Sequence, residues 1–221
     1  MPGLKAVIFD MDGVIIDSEP IHQMVNKSIF STLGINISAE EYNSFIGLSN
    51  TEMWTYLKEK YDFKEDVKEL KARQLKGNLQ YLNNNSEKMV HGIKKLLDLF
   101  SKHNLNLAVA SSSPLEYINN VLINLDINDY FEIRVSGEAF EKGKPFPDIF
   151  IYTAKLLKVM PEECVIIEDS ENGVLAAKEA GIRVVGYKNK NSGKQDLSAA
   201  DLIVNSLKGL EIKDFERLLL K

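Results

Sequence analysis

Cysteine is nearly absent. The single thiol, Cys164, has no intrachain partner for a disulfide and sits in an apolar run, so it reads as a small core residue. The three histidines, His22, His91 and His103, do not cluster, which argues against a zinc site. No apolar run approaches the ~20 residues of a membrane-spanning helix. Long basic runs are also missing and the formal net charge is -5, so neither membrane nor nucleic acid is expected as a partner. Met1-Pro2-Gly3-Leu4-Lys5 leads directly into an apolar stretch without a signal-peptide pattern, and the expected location is cytoplasmic. There are no internal repeats or low-complexity tracts. A chain of 221 residues with 44% hydrophobic content has the composition of a globular protein and the length for a large core with a smaller companion. The expected state is a monomer.

What the chain does have is strand ends that carry acids. Ala6 to Phe9 is a short β-forming run suited to a strand buried on both faces of a parallel sheet. It ends in Asp10-Met11-Asp12-Gly13. From residue 17 to about 87 the pattern is helical: Ile21, Val25, Ile29, Phe30 and Leu33 recur at helical spacing and Gly34 is a natural stop. Ser38 marks a second helix start, and helices are predicted over 50–61 and 64–82, with Asn83-Asn84-Asn85-Ser86 as a linker. From Val90 strands and helices alternate, with strands predicted at 105–110, 132–136, 164–167, 182–187 and 201–204 and a closing helix over 207–220. This pattern predicts an α/β fold, a Rossmann-like doubly wound parallel sheet with a helical segment inserted after the first strand. The core is expected to comprise 1–16 and 88–221, and the insertion 17–87.

In such a sheet the carboxyl ends of the strands share one edge, where ligands bind. Asp10 and Asp12, the hydroxyl of Ser111, Lys144 and the pair Glu168/Asp169 all fall at predicted strand ends or just beyond. Four carboxylates need a counter-charge. A hard divalent cation with oxygen ligands supplies it, and Mg²⁺ with one or two carboxylates plus waters fits best. Lys144 and Ser111 would then face an anion, most simply a phosphoryl group. Asp10 at the strand tip would attack phosphorus, and Asp12 would move protons to the leaving oxygen and from water. Gly13 permits a tight turn against phosphate.

Asp10-Met11-Asp12-Gly13-Val14, strand-end Ser111, Gly143-Lys144-Pro145-Phe146-Pro147-Asp148 and Glu168-Asp169-Ser170-Glu171-Asn172-Gly173 resemble the four ordered motifs of the haloacid dehalogenase superfamily. The helical insertion resembles the C1-type cap of its β-phosphoglucomutase-like branch. The resemblance implies Asp10 as nucleophile, Asp12 as acid and base, and Ser111 with Ser112 and Lys144 as the phosphoryl-binding groups. It further implies Asp10, Asp12 through its carbonyl, Glu168 and Asp169 around Mg²⁺. In the cap, Ser18, His22, Gly47 and Asn50 match segments that contact substrate in that branch. The branch's mutase pattern has an arginine where this chain has Asn50, and a neutral amide does not replace a bidentate guanidinium.

A phosphatase acting on a small phosphorylated metabolite, most simply a sugar phosphate, is therefore favoured. A mutase is the alternative, with Lys76 or another cap cation in the arginine's place. A phospho-accepting switch domain would place its acceptor Asp on a later strand and has no use for a helical cap. Cap hinges are expected near 15–17 and 83–88.

Overall fold

A computed structural model describes residues 3–85 and 89–220. Its six strands, β1 (Ala6–Phe9), β2 (Asn106–Ser111), β3 (Ile133–Ser136), β4 (Cys164–Glu168), β5 (Arg183–Tyr187) and β6 (Leu202–Val204), form one parallel sheet in the order β3-β2-β1-β4-β5-β6. The strand order reverses beside β1, and the crevice at such a switch point is where ligands bind in open α/β sheets.

Period two along the strands sorts the core. Val7, Phe9, Val109, Val165 and Ile167 pack to one face, under α5 (Ile93–Lys102), α6 (Leu115–Asn124) and α9 (Ile212–Leu218). Ala6, Ile8, Ala110, Ile166 and Val184 pack to the other, under α7 (Asp148–Leu156) and α8 (Glu171–Glu179). Cys164 is buried in that second layer as a free thiol.

Among the described residues the first four of the five helices between β1 and β2 are α1 (Glu19–Leu33), α2 (Ala39–Asn43), α3 (Asn50–Tyr61) and α4 (Val67–Asn84). They have a hydrophobic cluster of their own, with Phe30, Tyr42, Met53, Leu57 and Leu70 around the fully buried Trp54. The Trp54 indole N–H donates to Gln74 Oε1 at 2.9 Å, so the largest side chain of this cluster leaves no polar atom unpaired. Local signals explain the helix ends. Gly34 takes a left-handed φ of 68° to stop α1. Ser38 caps α2 by accepting from Glu41 N, and Ser49 with Glu52 forms a capping box for α3. Ile21 and Leu82, at the two ends of the segment, join the sheet's core instead and fasten it there.

Several boundaries differ from expectation. Helix α4 starts at Val67 rather than Lys64, because Asp66 caps it after Asp62 turns left-handed. It continues through Asn83 and Asn84, which were expected in a linker. The closing helix is shorter than 207–220, since Gly209 at φ 89° makes a turn before it. The expected segment boundary at 87/88 and the 86–88 part of the expected hinge lie outside the described residues.

Candidate active site

Strand β1 delivers Asp10 to the carboxyl edge with its N–H tied to the Ile167 carbonyl on β4 (3.0 Å). Lys144 reaches in from the loop after β3. Its ammonium lies 2.6 Å from Asp10 Oδ1, 2.6 Å from Glu168 Oε1 and 3.3 Å from the Ala110 carbonyl, with the Phe150 ring 4.8 Å away. Asp10, Lys144, Glu168 and Asp169 are all at most 6% exposed. Burial works against the Lys144 charge, but the Asp10 and Glu168 charges outweigh it and hold the ammonium above its usual range. Burial first, then the Glu168 and Asp12 charges, pushes the Asp10 carboxyl well up despite Lys144. Asp169 is driven up in the same way by burial, Glu168 and Asp10.

Glu168 is fully committed within the protein. Its Oε2 accepts the N–H groups of Asp169 and Ser170 at 2.8 Å and the Ser170 hydroxyl at 3.0 Å. Gly173 lies so close that a Cβ there would run into this carboxylate. Glu168 thus braces Lys144 and the turn into α8 together.

Asp12 occupies a different setting. Its Oδ1 accepts the Ser18 hydroxyl (2.6 Å) and lies 3.0 Å from His22 Nε2. Its Oδ2 accepts the hydroxyls of Ser113 (2.7 Å) and Ser111 (3.1 Å). Burial opposes ionisation, but the His22, Ser18 and Ser113 hydrogen bonds prevail and bring Asp12 down to about 2. His22 is correspondingly raised: burial works against its charge and Asp12 overcomes it. The amide of Asn78 sits 3.0 Å from His22 Nδ1. With its oxygen toward the ring it accepts from an imidazolium, and the Asn78 Oδ1 gains the partner it otherwise lacks. Two carboxylates one residue apart therefore have pKa values pushed in opposite directions, Asp10 up and Asp12 down; a cation bound beside Asp10 would favour its ionised form.

A cleft joins these groups to the helical segment. It is lined on one side by Asp10, Asp12, Ser111, Ser112, Lys144 and Asp169, and on the other by Gly47, Asn50 and residues of α1 to α4. Ser112 is half-buried on the cleft wall. Gly47, at φ 85°, brings its backbone against Ser170, where a Cβ would lie 3.1 Å from Ser170 Cβ. Ser18 is fully buried and faces Asp12, and it is not among the residues lining the cleft. His22 lines the cleft with both ring nitrogens engaged by protein. Lys76 is exposed on α4 and outside the cleft.

Sequence reasoning passed over three contributors. Ser113 was hidden in a serine run of which only the first two were singled out. Asn78 sits on a polar helix face without a motif. Ser192 lies in the segment 188–194, which reads as a surface loop, yet it is buried and its hydroxyl hydrogen-bonds Asp169 Oδ2. In the same loop Asn189 donates to the Gly13 carbonyl (2.7 Å) and Asn191 to Asp17 (2.6 Å). The available signal was position: the loop leaves the carboxyl end of β5, next to the strand that carries Glu168.

The donor set fits a hard divalent cation. Four carboxylates face Lys144 and His22, so negative charge remains in excess, and Asp10 and Asp169 are raised by burial and like charge. Among the described residues no three acidic, histidine or cysteine side chains surround a common point. A cation here would draw on two carboxylates, backbone oxygen and water, the ligand set that Mg²⁺ prefers.

The model of the family described as "Haloacid dehalogenase-like hydrolase" matches residues 7–187. The chain belongs to this family. It is 32% identical over 198 residues to the Phosphorylated carbohydrates phosphatase of Thermotoga maritima, covering 89% of this chain and 91% of that protein. It is likewise 32% identical over 218 residues to the Beta-phosphoglucomutase of Bacillus subtilis (95% and 93%). A crystal structure of beta-phosphoglucomutase from Clostridium difficile superposes with a TM-score of 0.87 at 29% identity, covering 98% of this chain and 97% of that one. Membership of this hydrolase family, with phosphatases among its relatives, marks the chain as a phosphoric monoester hydrolase. No helix among the described residues is long and apolar enough to cross a membrane.

Proposed function

We propose that the chain is a Mg²⁺-dependent phosphatase that hydrolyses a small phosphorylated metabolite, most simply a sugar or polyol phosphate, through an aspartyl-phosphate on Asp10. The observation that carries the choice of hydrolysis over isomerisation is the cap side of the cleft. Among the described residues its lining there is Glu19, Asn26, Tyr42, Phe45, Ile46, Gly47, Leu48, Asn50, Met53 and Gln74, with His22 and without lysine or arginine. His22 is engaged with Asp12. A mutase must hold a second phosphate at this wall while the intermediate turns over, and a cation is the natural clamp for it. Asn50 is neutral and Lys76 points elsewhere. The similarity to Beta-phosphoglucomutase keeps isomerisation as the second reading.

In this reading Asp10, Asp169 and the Asp12 carbonyl hold Mg²⁺, which when bound neutralises charge on the phosphoryl oxygens. Lys144, Ser111 and Ser112 orient the phosphoryl group in line with Asp10. The Asp10 carboxylate attacks phosphorus and the ester P–O bond breaks. Asp12 passes a proton to the departing oxygen, drawing it from its pair with His22, whose pKa Asp12 raises. Water then attacks phosphorus, Asp12 takes its proton, and phosphate leaves with Asp10 restored. The helices α1 to α4 act as a cap that screens the substrate and excludes bulk water. The test is a panel of sugar and polyol monophosphates with Mg²⁺, read as inorganic phosphate. A parallel reaction uses β-glucose 1-phosphate with a trace of glucose 1,6-bisphosphate, read as glucose 6-phosphate. Phosphate release without isomer is expected; isomerisation outrunning release would defeat the proposal.

A further inference from the structure

The cap wall carries a cluster of polar side chains. Glu19 and Tyr42 both line it, and burial with the Glu19 charge raises the Tyr42 phenol. The Tyr42 oxygen accepts from Asn26 Nδ2, 3.3 Å away. This fixes the Asn26 amide: its nitrogen faces Tyr42 and Met53, and its oxygen faces away from both. Asn26 is 2% exposed, lines the cleft, and its Oδ1 has no hydrogen-bond partner. Buried polar atoms are rarely left unpaired, because each loses its water without gaining a partner. Beside it, Gln74 spends its oxygen on Trp54 and is held in place. Phe45, Leu48 and Met53 supply apolar contact around these polar atoms.

The wall therefore offers acceptors, Asn26 Oδ1 and the Glu19 carboxylate, framed by apolar surface. Acceptors call for a ligand that brings O–H groups on a carbon chain. Burial pushes the Glu19 carboxyl up, opposed first by the His22 charge, with Asp12 and Asp17 adding smaller upward pushes. A carboxylate on this wall repels a further anion.

We infer that Glu19, Asn26 and Tyr42 form a subsite for the hydroxyl-bearing, uncharged end of a polyol or sugar monophosphate, and that Glu19 rejects substrates with a second phosphate. The inference rests on the phosphatase reading and gives it a substrate class.

The test compares kcat/KM for three esters with Mg²⁺ present: sorbitol 6-phosphate, propyl phosphate, which lacks hydroxyls, and fructose 1,6-bisphosphate. Wild-type protein is expected to prefer sorbitol 6-phosphate over both by at least about tenfold, since unpaired acceptors penalise the wrong ligand. Asn26→Leu, checked for folding by thermal denaturation, is expected to shrink the preference over propyl phosphate about tenfold, mainly through KM. Glu19→Gln is expected to raise the bisphosphate relative to sorbitol 6-phosphate by a similar factor. Wild-type protein that hydrolyses propyl phosphate as well as sorbitol 6-phosphate overturns the inference and leaves the phosphatase standing. So does an Asn26→Leu protein that loses activity equally on both. Absence of phosphate release from every ester overturns the phosphatase reading and this inference with it.

Discussion

The two walls of the cleft are built on opposite rules. On the sheet side, charge is dense and interlocked: Lys144 bridges Asp10 and Glu168, and Asp12 accepts from Ser18, Ser111 and Ser113 while pairing with His22. On the helical side the lining is mostly neutral, and Asn26 Oδ1 lacks a partner. A wall whose groups are matched to one another is suited to a single chemistry. A wall with an unmet acceptor is suited to choosing a ligand. Substitutions on the sheet side should therefore strike kcat and stability, and those on the helical side should strike KM.

The largest expected effect is at Asp10. Asp10→Asn keeps the shape but removes the nucleophile, and phosphate release should fall by at least about 10⁴-fold. A variant that keeps turnover near wild type would place the nucleophile elsewhere. Next is Lys144→Ala, which strands Asp10 and Glu168 as buried charges facing each other. Breaking such a pair costs about 3–5 kcal/mol. Urea denaturation should show that loss, with part of it regained on adding Mg²⁺, and an unchanged midpoint would contradict the bracing role of Lys144. The contrast between the walls is sharpened by Trp54→Phe. It leaves Gln74 Oε1 buried without its donor, at about 1–3 kcal/mol, in the hydrophobic cluster of the helical segment. KM should rise several-fold with kcat little changed. A fall in kcat alone would mean that the two walls are not separable.

The same contrast governs what the sequence made legible. The sheet wall was readable because topology does the gathering: parallel strands end at one edge, so Asp10, Ser111, Lys144 and Glu168/Asp169 had to approach one another wherever they stood in the chain. Strand β1 was readable to the residue, since a four-residue apolar run leaves little freedom in its limits. Ends of elements were less so where one polar side chain decides, as with Asp66 starting α4 late or Gly209 delaying α9. The loop of Ser192 could not be distinguished from solvated surface, because its composition is polar either way and only its fold over Asp169 buries it. On the helical wall no motif signals Asn26 or Tyr42; their roles arise from packing between α1 and α2, which local sequence does not encode.

The smallest expected effect joins the two walls, because His22 on α1 reaches across to Asp12 on the sheet edge. Asp12 is lowered to about 2 in the folded chain against about 3.9 unfolded. Its contribution to stability is present above that unfolded value and is lost as pH falls through about 2. His22 is raised above an unfolded value of about 6.5, so its contribution is complete below 6.5 and is lost as pH rises through its folded pKa. The pair is thus at full strength from about pH 4 to 6.5 and weakens toward alkaline pH. His22→Gln should cost on the order of 1–2 kcal/mol at pH 6, and the gap from wild type should narrow between pH 6.5 and 9 in paired urea denaturation curves. A gap that stays constant or widens over that interval would show that His22 holds the helices to the sheet by packing, through its contact with the Tyr117 ring at 5.5 Å, and not by charge.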